Sequence, residues 1–421
     1  MASIGRLLRT NRNFCWILAS VAATIVAEVL VLGGLLADVY ERSGSALQTI
    51  LVTTVTMLTA VVLGPFSGVF ADRVPRKWML AGANWMRALI IGGFYLLIQA
   101  ELFAGWQVYL IAFFYMAGAT IRQPARLSII PQIIAVEDLV LANSMMKAVF
   151  LAGAAFAFWL VGILMLNFGL GLVTLIAAAC FVLGGLLVTP ISIPDAPTPT
   201  NSAETPSIWQ SIGEGYDALK GHQVARPLVI MEAMESIPQG IWTYGLLLVF
   251  MERALGGNAA DWGVMNSMYQ VGLLGGVFIA LFITQFINRR AGWVIIADTI
   301  FTALIAVPFV FSGSPRAAIA LYALIAVPQA IRDAAQDSVL QSSVDNTVLG
   351  RIYALRGAAS QFTGLFASLL FAWLADFADI RLLFGIGAGI FVLVAFYAYA
   401  NQSLRQSRIE DRETQPALPR S

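Results

Sequence analysis

The chain has 421 residues, of which 59% are apolar and only 12% are charged, and its formal net charge is +1. The charged share is about half the ~25% of a soluble domain, so the polar residues are too few to cover a water-soluble globule of this size. This composition excludes a soluble enzyme or a nucleic-acid-binding protein and predicts a chain that lies in a lipid bilayer.

Apolar stretches recur along the chain, each long enough, at about 20 residues, to cross the bilayer core as a helix. In chain order they are 13–37, 46–70, 77–98, 104–124, 142–166, 170–189, 226–251, 259–287, 292–312, 317–337, 352–375 and 380–400. The first follows three arginines, as a signal peptide would, but it is too long to be one and eleven others follow it, so we interpret it as retained. We predict an all-α membrane protein with twelve transmembrane helices.

The positions of lysine and arginine predict the orientation. If the N-terminus is cytoplasmic, 20 of the 25 basic residues fall on the cytoplasmic side, four fall on the outer side, and Arg87 alone lies within a span. Cytoplasmic loops of membrane proteins carry this excess. We therefore predict a multi-pass protein of the cell (inner) membrane with both termini cytoplasmic.

The only long polar interruption divides the chain into two halves of six helices. Residues 189–207 contain five prolines and no apolar periodicity, and residues 208–222 have the spacing of an amphipathic helix that lies on the inner surface. We predict an N-terminal half at 1–189, a cytoplasmic linker with the amphipathic helix at 190–225, a C-terminal half at 226–401 and a polar, disordered cytoplasmic tail at 402–421.

The two halves are related in sequence at one place. "IRQPARLSII" from Ile121 and "IRDAAQDSVL" from Ile331 share four residues at matching offsets, 210 positions apart, at the inner end of the fourth helix of each half. This similarity predicts parallel internal repeats.

The segment "GPFSGVFADRVPRK" (64–77) joins the second and third predicted helices. Gly64 and Gly68 form a small-residue face that allows close approach of a neighbouring helix, and Pro65 and Pro75 predict an exit from the helix into a tight turn. The segment resembles the loop of the major facilitator superfamily, whose pattern is roughly G-x-x-x-D-R-x-G-R-K. The matching residues are Gly68, Asp72, Arg73, Arg76 and Lys77, while Pro75 replaces the glycine.

The resemblance implies membrane transport by alternating movement of the two halves. In that family the aspartate sits at the N-terminal end of helix eleven, where a helix dipole favours an anion, and nearby arginines complete a network that closes the inner gate. The resemblance assigns this role to Asp72, with Arg73 and Arg76 as partners and the helix that begins near Arg351 as acceptor. The alternative is an ordinary basic loop on the cytoplasmic side.

A second segment, residues 118–145, is similar to the helix four to five region of drug and siderophore exporters related to macrolide efflux proteins and enterobactin exporters. The residues that carry this similarity are Arg122, Pro124, Ala125, Pro131, Ala142 and Asn143. Helix five lacks the G-P-x-x-G-G pattern that is common in drug antiporters. The resemblance implies export that is coupled to the proton gradient, without a bound cofactor or metal.

Four charged residues stand out within the predicted spans. A charge near the bilayer centre costs at least ~2.5–3.5 kcal/mol on insertion scales, so each needs a partner, water or a neutral form. Glu28 is a candidate proton or substrate site or, alternatively, a structural ion-pair partner of Arg87. Glu232 and Glu235 lie one turn apart and would repel each other if both were ionised, and Glu235, close to Pro238, is the better candidate for proton coupling.

Other residues are weaker candidates. Gln107, Tyr115, Gln239, Trp242 and Tyr244 lie on helices that line the cavity in the family, although aromatic residues in a membrane bundle more often serve packing. No set of clustered nucleophiles, carboxylates or histidines indicates an enzyme, and no repeated filter segment indicates a channel.

Three intramembrane acids against one base favour a cationic or neutral amphiphilic substrate, such as a drug. The alternatives are a siderophore or other secondary metabolite, a lysophospholipid, or a non-transporting membrane sensor of the same fold. The expected partners are the small-molecule substrate and the lipid bilayer, and the expected state is a monomer that binds no nucleic acid.

Overall fold

The structure, a computed structural model, describes residues 2–192, 213, 216–217, 219–344 and 346–409. Within these ranges the description covers the backbone alone for residues 2–4, 65–66, 68–73, 124, 127–128, 131, 136, 140 and 346–347. The described part is helical, with no strand among these residues. The predicted linker and amphipathic helix at 190–225, and the tail beyond residue 409, lie largely or wholly outside it.

The helices follow the predicted apolar stretches closely. They are α1 (Ala2–Thr10), α2 (Arg12–Ser43), α3 (Ala46–Arg73), α4 (Arg76–Gln99), α5 (Gln107–Ile133), α6 (Leu139–Leu186), α7 (Ala225–Ile241), α8 (Tyr244–Arg253), α9 (Ala259–Phe282), α10 (Thr284–Val310), α11 (Pro315–Ser343), α12 (Asn346–Ala375), α13 (Ile380–Ala400) and α14 (Gln402–Gln406). Within the described residues, nine helices or parts of helices are long and apolar enough to cross a membrane. The number of crossings and their orientation stay predictions.

The fifth and sixth predicted spans are separated where expected, whereas the seventh is not one continuous helix. The fifth and sixth lie in α6, which breaks at Gly169, where the backbone is left-handed with φ 69°; glycine adopts this conformation without the steric cost of a Cβ. The seventh consists of α7 and α8, which are separated at Trp242 and Thr243, where Thr243 is extended (ψ 154°). Gly240 in α7 lies so close to α12 that an added Cβ would be 2.8 Å from the backbone nitrogen of Ser368.

The chain forms two compact units, which correspond broadly to the two predicted halves. The first contains residues 1–202 and 257–270, and the second contains residues 203–256 and 271–421. The start of α9 belongs to the first unit because Trp262, fully buried, packs edge-to-face on Phe158 at 5.9 Å between ring centroids. Gly162 and Gly263 allow α6 and α9 to touch there, since a Cβ on Gly263 would lie 2.5 Å from the Phe158 carbonyl oxygen.

Each unit has an apolar core built from helix faces. In the first unit, α2, α4 and α5 contribute buried residues such as Phe14, Leu80 and Ile129. In the second unit, α7, α10, α11 and α13 contribute residues such as Met231 and Ile295.

Residues 402–409 differ from the predicted disordered tail. They form α14 and continue to Ile409, whose backbone N–H donates to the Asn288 carbonyl at 3.0 Å. Leu404 is fully buried in the core of the second unit, and the Gly292 N–H donates to the Ser407 carbonyl at 3.1 Å. One leucine in a polar stretch thus anchors this segment onto α10.

Candidate functional site

The first unit contains an ion network inside its apolar core. Glu28 on α2 accepts hydrogen bonds through one oxygen, Oε1, from Arg87 Nη1 on α4 at 2.8 Å and from Arg122 Nη2 on α5 at 2.9 Å. Both arginines are buried, and Arg87 is fully so. The network therefore joins the first, third and fourth spanning helices of this unit around one acid and two bases.

The guanidinium of Arg87 is held by several further groups. It donates to Asn84 Oδ1 at 2.5 Å, and the Asn84 amide donates in turn to Thr24 Oγ1 at 3.2 Å. Its charge lies 4.4 Å from the ring centroid of Phe181, a favourable cation–π arrangement. Gly118 leaves room for the side chain, because a Cβ there would be 2.8 Å from Arg87 Cγ. These contacts hold the Arg87 guanidinium in one place.

Glu28 and Arg87 thus form the ion pair that the sequence offered as the alternative to a proton role. Tyr115, a predicted cavity residue, lies in the same cluster, with its hydroxyl 3.5 Å from the Glu28 carbonyl and its ring 5.9 Å from the Arg87 guanidinium carbon. Whether Glu28 binds a proton stays a prediction.

The second unit contains a network on the corresponding helices. Glu235 on α7 accepts from Arg332 Nη1 on α11 at 2.7 Å, and Asp298 Oδ2 on α10 lies 3.3 Å from Arg332 Nε. Arg332 Nη2 also donates to Asp333 at 3.2 Å. Glu235, Asp298 and Arg332 are all buried. Here several acids share one arginine.

Glu232 belongs to a separate cluster nearer the end of α7. It forms an ion pair with Arg356 on α12 and accepts from Gln336 Nε2 at 3.0 Å, while Arg356 also bonds Asp337 at 2.7 Å. Glu232 and Glu235 therefore each have an arginine partner. The repulsion expected from their one-turn spacing is offset by these two cations.

The sequence count of three acids against one base leaves out three arginines that lie in the same helices, and the substrate class stays a prediction. Arg122, Arg332 and Arg356 lie within helices and pair with the acids, although the sequence placed them at the cytoplasmic ends. With each glutamate matched by arginine, the charge balance no longer favours a cationic substrate.

Trp242, another predicted cavity residue, lies in an aromatic cluster of the second unit. Its ring centroid is 4.5 Å from that of Phe309, 5.7 Å from Tyr322 and 5.6 Å from Phe384. The indole Nε1 is buried without a hydrogen-bond partner. This aromatic cluster contributes to the packing of the second unit, and the indole N–H of Trp242 is a hydrogen-bond donor that no described group uses.

The remaining cavity candidates occupy less enclosed places. Gln107 accepts from the Ala104 N–H at 3.1 Å at the start of α5, which is a capping role. Gln239 is exposed on α7, and Tyr244 is half-buried at the first position of α8.

The loop motif departs from the predicted turn. Helix α3 continues through Pro65 as far as Arg73, so the chain leaves the helix only at residues 74–75, and Pro75 caps α4. Within its unit, a Cβ on Gly64 would meet no atom within 4 Å, so the expected close approach is absent at this glycine.

The charges of the motif are only partly described. The side chains of Asp72 and Arg73, and residue 68, lie outside the described side chains, so the gate network stays a prediction. Arg76 begins α4, and Lys77 Nζ lies 5.6 Å from the ring centroid of Trp78.

In the second motif, α5 runs through both Pro124 and Pro131, whose side chains lie outside the described part. Ala125 is fully buried in the core, and Asn143 is exposed on α6. Arg122 is the member of this motif that joins the ion network.

Sequence reasoning missed Asp298 and Arg332. Arg332 is the counterpart of Arg122 in the internal repeat, so the repeat itself was the available signal. Asp298 is the only acid of the predicted span 292–312 and could have been found by the same test that singled out Glu28.

Comparison with known proteins agrees with this architecture. The model of the Major Facilitator Superfamily matches residues 13–237, more than half of the chain. The chain belongs to the major facilitator superfamily. It is therefore a membrane transporter by family, and the family resemblance of the loop motif is confirmed.

Relatives and solved structures of this superfamily cover nearly the whole chain. The uncharacterized MFS-type transporter YjbB of Bacillus subtilis (strain 168) is 24% identical over 96% of this chain and 98% of its own length. Macrolide efflux protein A of Streptococcus pyogenes is 22% identical over 86% of this chain and 89% of its own. The nucleoside transporter NupG matches with a TM-score of 0.71 at 15% identity, over 93% of this chain and 100% of its own. The last likeness shows a common fold.

Proposed function

We propose that this superfamily member exports a small amphiphilic, drug-like molecule across the cell membrane in exchange for protons, by alternating access. The observation that carries the proposal is the similarity to macrolide efflux protein A across most of both chains. The segment 118–145, which resembles that of exporters, supports the same direction of transport. We further propose that the protein is a monomer in the inner membrane and that both of its termini are cytoplasmic.

Proton coupling is supported by the buried acids of the second unit. Glu235 and Asp298 have side chains only 3% exposed and share Arg332. A buried carboxylate is costly when charged, so the binding of a proton changes the relative energies of the conformations that expose or enclose it. A proton that is bound more tightly in one conformation drives the conformational equilibrium, as alternating access with antiport requires.

The test is transport into inverted membrane vesicles made from cells with and without the gene. An imposed gradient, acid inside, should drive accumulation of a macrolide or another amphiphilic compound, and a protonophore should abolish it. Cells with the gene should also grow at higher concentrations of that compound. Equal growth together with no accumulation of any compound in the panel would contradict drug export.

The same vesicles separate the alternatives. Accumulation of a siderophore or a lysophospholipid in place of the drugs would assign those substrates. Specific binding without flux would indicate a sensor.

A further inference from the structure

The ion networks of the two units are built alike but have opposite charge at one position. In both, a glutamate of the first spanning helix pairs with an arginine of the fourth, Glu28 with Arg122 and Glu235 with Arg332. The third member comes from the third helix, and it is Arg87 in the first unit and Asp298 in the second. The first network has one acid and two bases, whereas the second has two acids and one base.

This difference determines which carboxylate lacks enough positive charge and hydrogen-bond donors around it. Glu28 receives two charge-assisted hydrogen bonds through one oxygen, so its ionised form is well stabilised. Arg332 gives one terminal nitrogen to Glu235 and the other to Asp333. Only Nε remains for Asp298, at 3.3 Å, and that nitrogen makes no hydrogen bond.

Asp298 is consequently the least satisfied acid of the two triads. Among the described residues, its buried Oδ1 has no hydrogen-bond partner, and its other oxygen has only the ionic contact with Arg332. A buried oxygen without a donor is costly when it bears charge and is relieved when a proton binds to the carboxylate.

The groups around Asp298 act in opposite directions. Arg332 favours its ionised form, while Glu235 and Asp333 oppose it. The helices α13 and α14, which also pack on α10, contain no acidic residue. Their ionisable groups are otherwise engaged or aromatic: Arg381 donates to the carbonyls of Val310 and Ala254, Arg405 lies over the ring of Tyr399, and Tyr397 is a phenol.

We propose that Asp298 is the site that binds the coupling proton, a refinement that rests on the proton-coupled transport proposed above. With the proton bound, Asp298 is neutral and Arg332 pairs with Glu235 and Asp333. When the proton leaves to water, the new carboxylate competes with Glu235 for the guanidinium. Because these groups lie on α10, α7 and α11, the competition changes the packing of three helices and so links proton release to a conformational change. This proposal assigns the coupling proton to Asp298 in place of Glu28 and Glu235, the candidates from the sequence.

The first experiment detects the proton without requiring transport. Infrared difference spectra of the purified full-length protein, recorded across a pH titration, should contain the carbonyl-stretch band of a protonated carboxylic acid that disappears as pH rises. Asp298→Asn should lose this band. The control Glu28→Gln, which removes the partly buried acid of the first unit's triad, should keep it. A titrating band that persists unchanged in Asp298→Asn would overturn the proposal.

The second experiment measures coupling in proteoliposomes. Asp298→Asn should lose accumulation of substrate against its gradient while it retains exchange down the gradient, and Asp298→Glu should restore accumulation with a displaced pH dependence. Asn is nearly the same size as Asp and removes an uncompensated charge, so the variant should unfold at the same temperature as the parent or a higher one. If it does not fold, the displaced pH dependence of Asp298→Glu replaces it as the test, and a pH dependence equal to that of the parent overturns the proposal.

The two failures are distinguishable. If the parent shows the titrating band but a pH gradient drives no transport, the proton-coupled function is wrong. If the parent accumulates substrate and Asp298→Asn does so equally well, the function stands and the assignment of Asp298 is wrong.

Discussion

Arg122 and Arg332 lie 210 positions apart in the chain, and each forms an ion pair with a glutamate on the first spanning helix of its own half. The N···O distances are 2.9 Å to Glu28 and 2.7 Å to Glu235. The two repeat segments share only four residues in ten, but the arginine in each of them makes the equivalent ion pair. The contributions of Arg122 and Arg332 to stability can be measured separately, because the two arginines have different neighbours.

Arg332→Ala should destabilise the protein strongly. It leaves Glu235 and Asp298 buried without a cation, and breaking a buried ion pair in this way costs about 3–5 kcal/mol. We expect a lower unfolding temperature in detergent and less folded protein in the membrane. Adding Glu235→Gln and Asp298→Asn should restore most of the loss, since no buried charge then remains in the triad. A triple variant as unstable as Arg332→Ala would show that packing, not charge, explains the effect.

Arg87→Gln should be more destabilising than Arg122→Gln. Arg87 bonds both Glu28 and Asn84 and lies against Phe181, whereas Arg122 donates to Glu28 at 2.9 Å. Either variant leaves Glu28 paired with one arginine, so the loss at Glu28 is the same in both. The difference in stability then comes from the other contacts of Arg87. Thermal unfolding of the two purified variants gives the comparison, and equal losses would contradict it.

Gly292→Ala should detach the segment 402–409 from α10. A Cβ at Gly292 would collide with the Leu404 carbonyl oxygen and lie 2.7 Å from Ser407 Oγ. Overpacking of this kind costs typically about 1–3 kcal/mol. Limited proteolysis should cut the variant after Asn401 faster than the parent. Gly389→Ala is the matched control, since a Cβ there meets nothing within 4 Å, and faster cleavage in both variants would refute the explanation.

Asp72→Asn tests the gate role that the family motif implies. We expect near-normal folding and surface amount but strongly reduced transport, because the contact with a helix N-terminus is lost when the inner gate must close. Cysteine labelling of the inner cavity should increase. Glu41→Gln, which removes an exposed acid at the end of α2, is the control for charge alone. Unchanged flux in Asp72→Asn at equal expression would refute the gate.

Topology reporters test the orientation. A reporter fused after Ser421 and another inserted near Asn201 should both report the cytoplasm, because the distribution of lysine and arginine places both segments inside. An external signal from either reporter would contradict the arrangement of six helices in each half.

The sequence predicted most helix positions because length and hydropathy suffice for that purpose. The break between the fifth and sixth spans was expected at residues 167–169, and Gly169 provides it. The second span was predicted at 46–70, and α3 runs through Pro65 as far as Arg73. A proline removes one hydrogen bond without ending every membrane helix, since the helix can re-satisfy the freed groups.

The partners of the buried charges were much harder to predict. Glu28, Glu235 and Arg87 were recognised because each interrupts an apolar run. Which cation compensates which acid depends on helix rotation and packing, and neither follows from hydropathy. Arg332 was assigned to a cytoplasmic end because a basic residue near the end of a span looks the same in sequence whether it points to water or into the bundle.

The burial of Leu404 has a consequence for the order of synthesis. Domains generally fold as units and the N-terminal one first during translation, and the first unit here needs no residue after Gln270. The second unit is completed by a leucine that follows its last long described helix, so its core stays open until Leu404 has been synthesised. A message truncated shortly after codon 400 would therefore yield a protein with all its long helices and one unfinished unit, a natural substrate for membrane quality control.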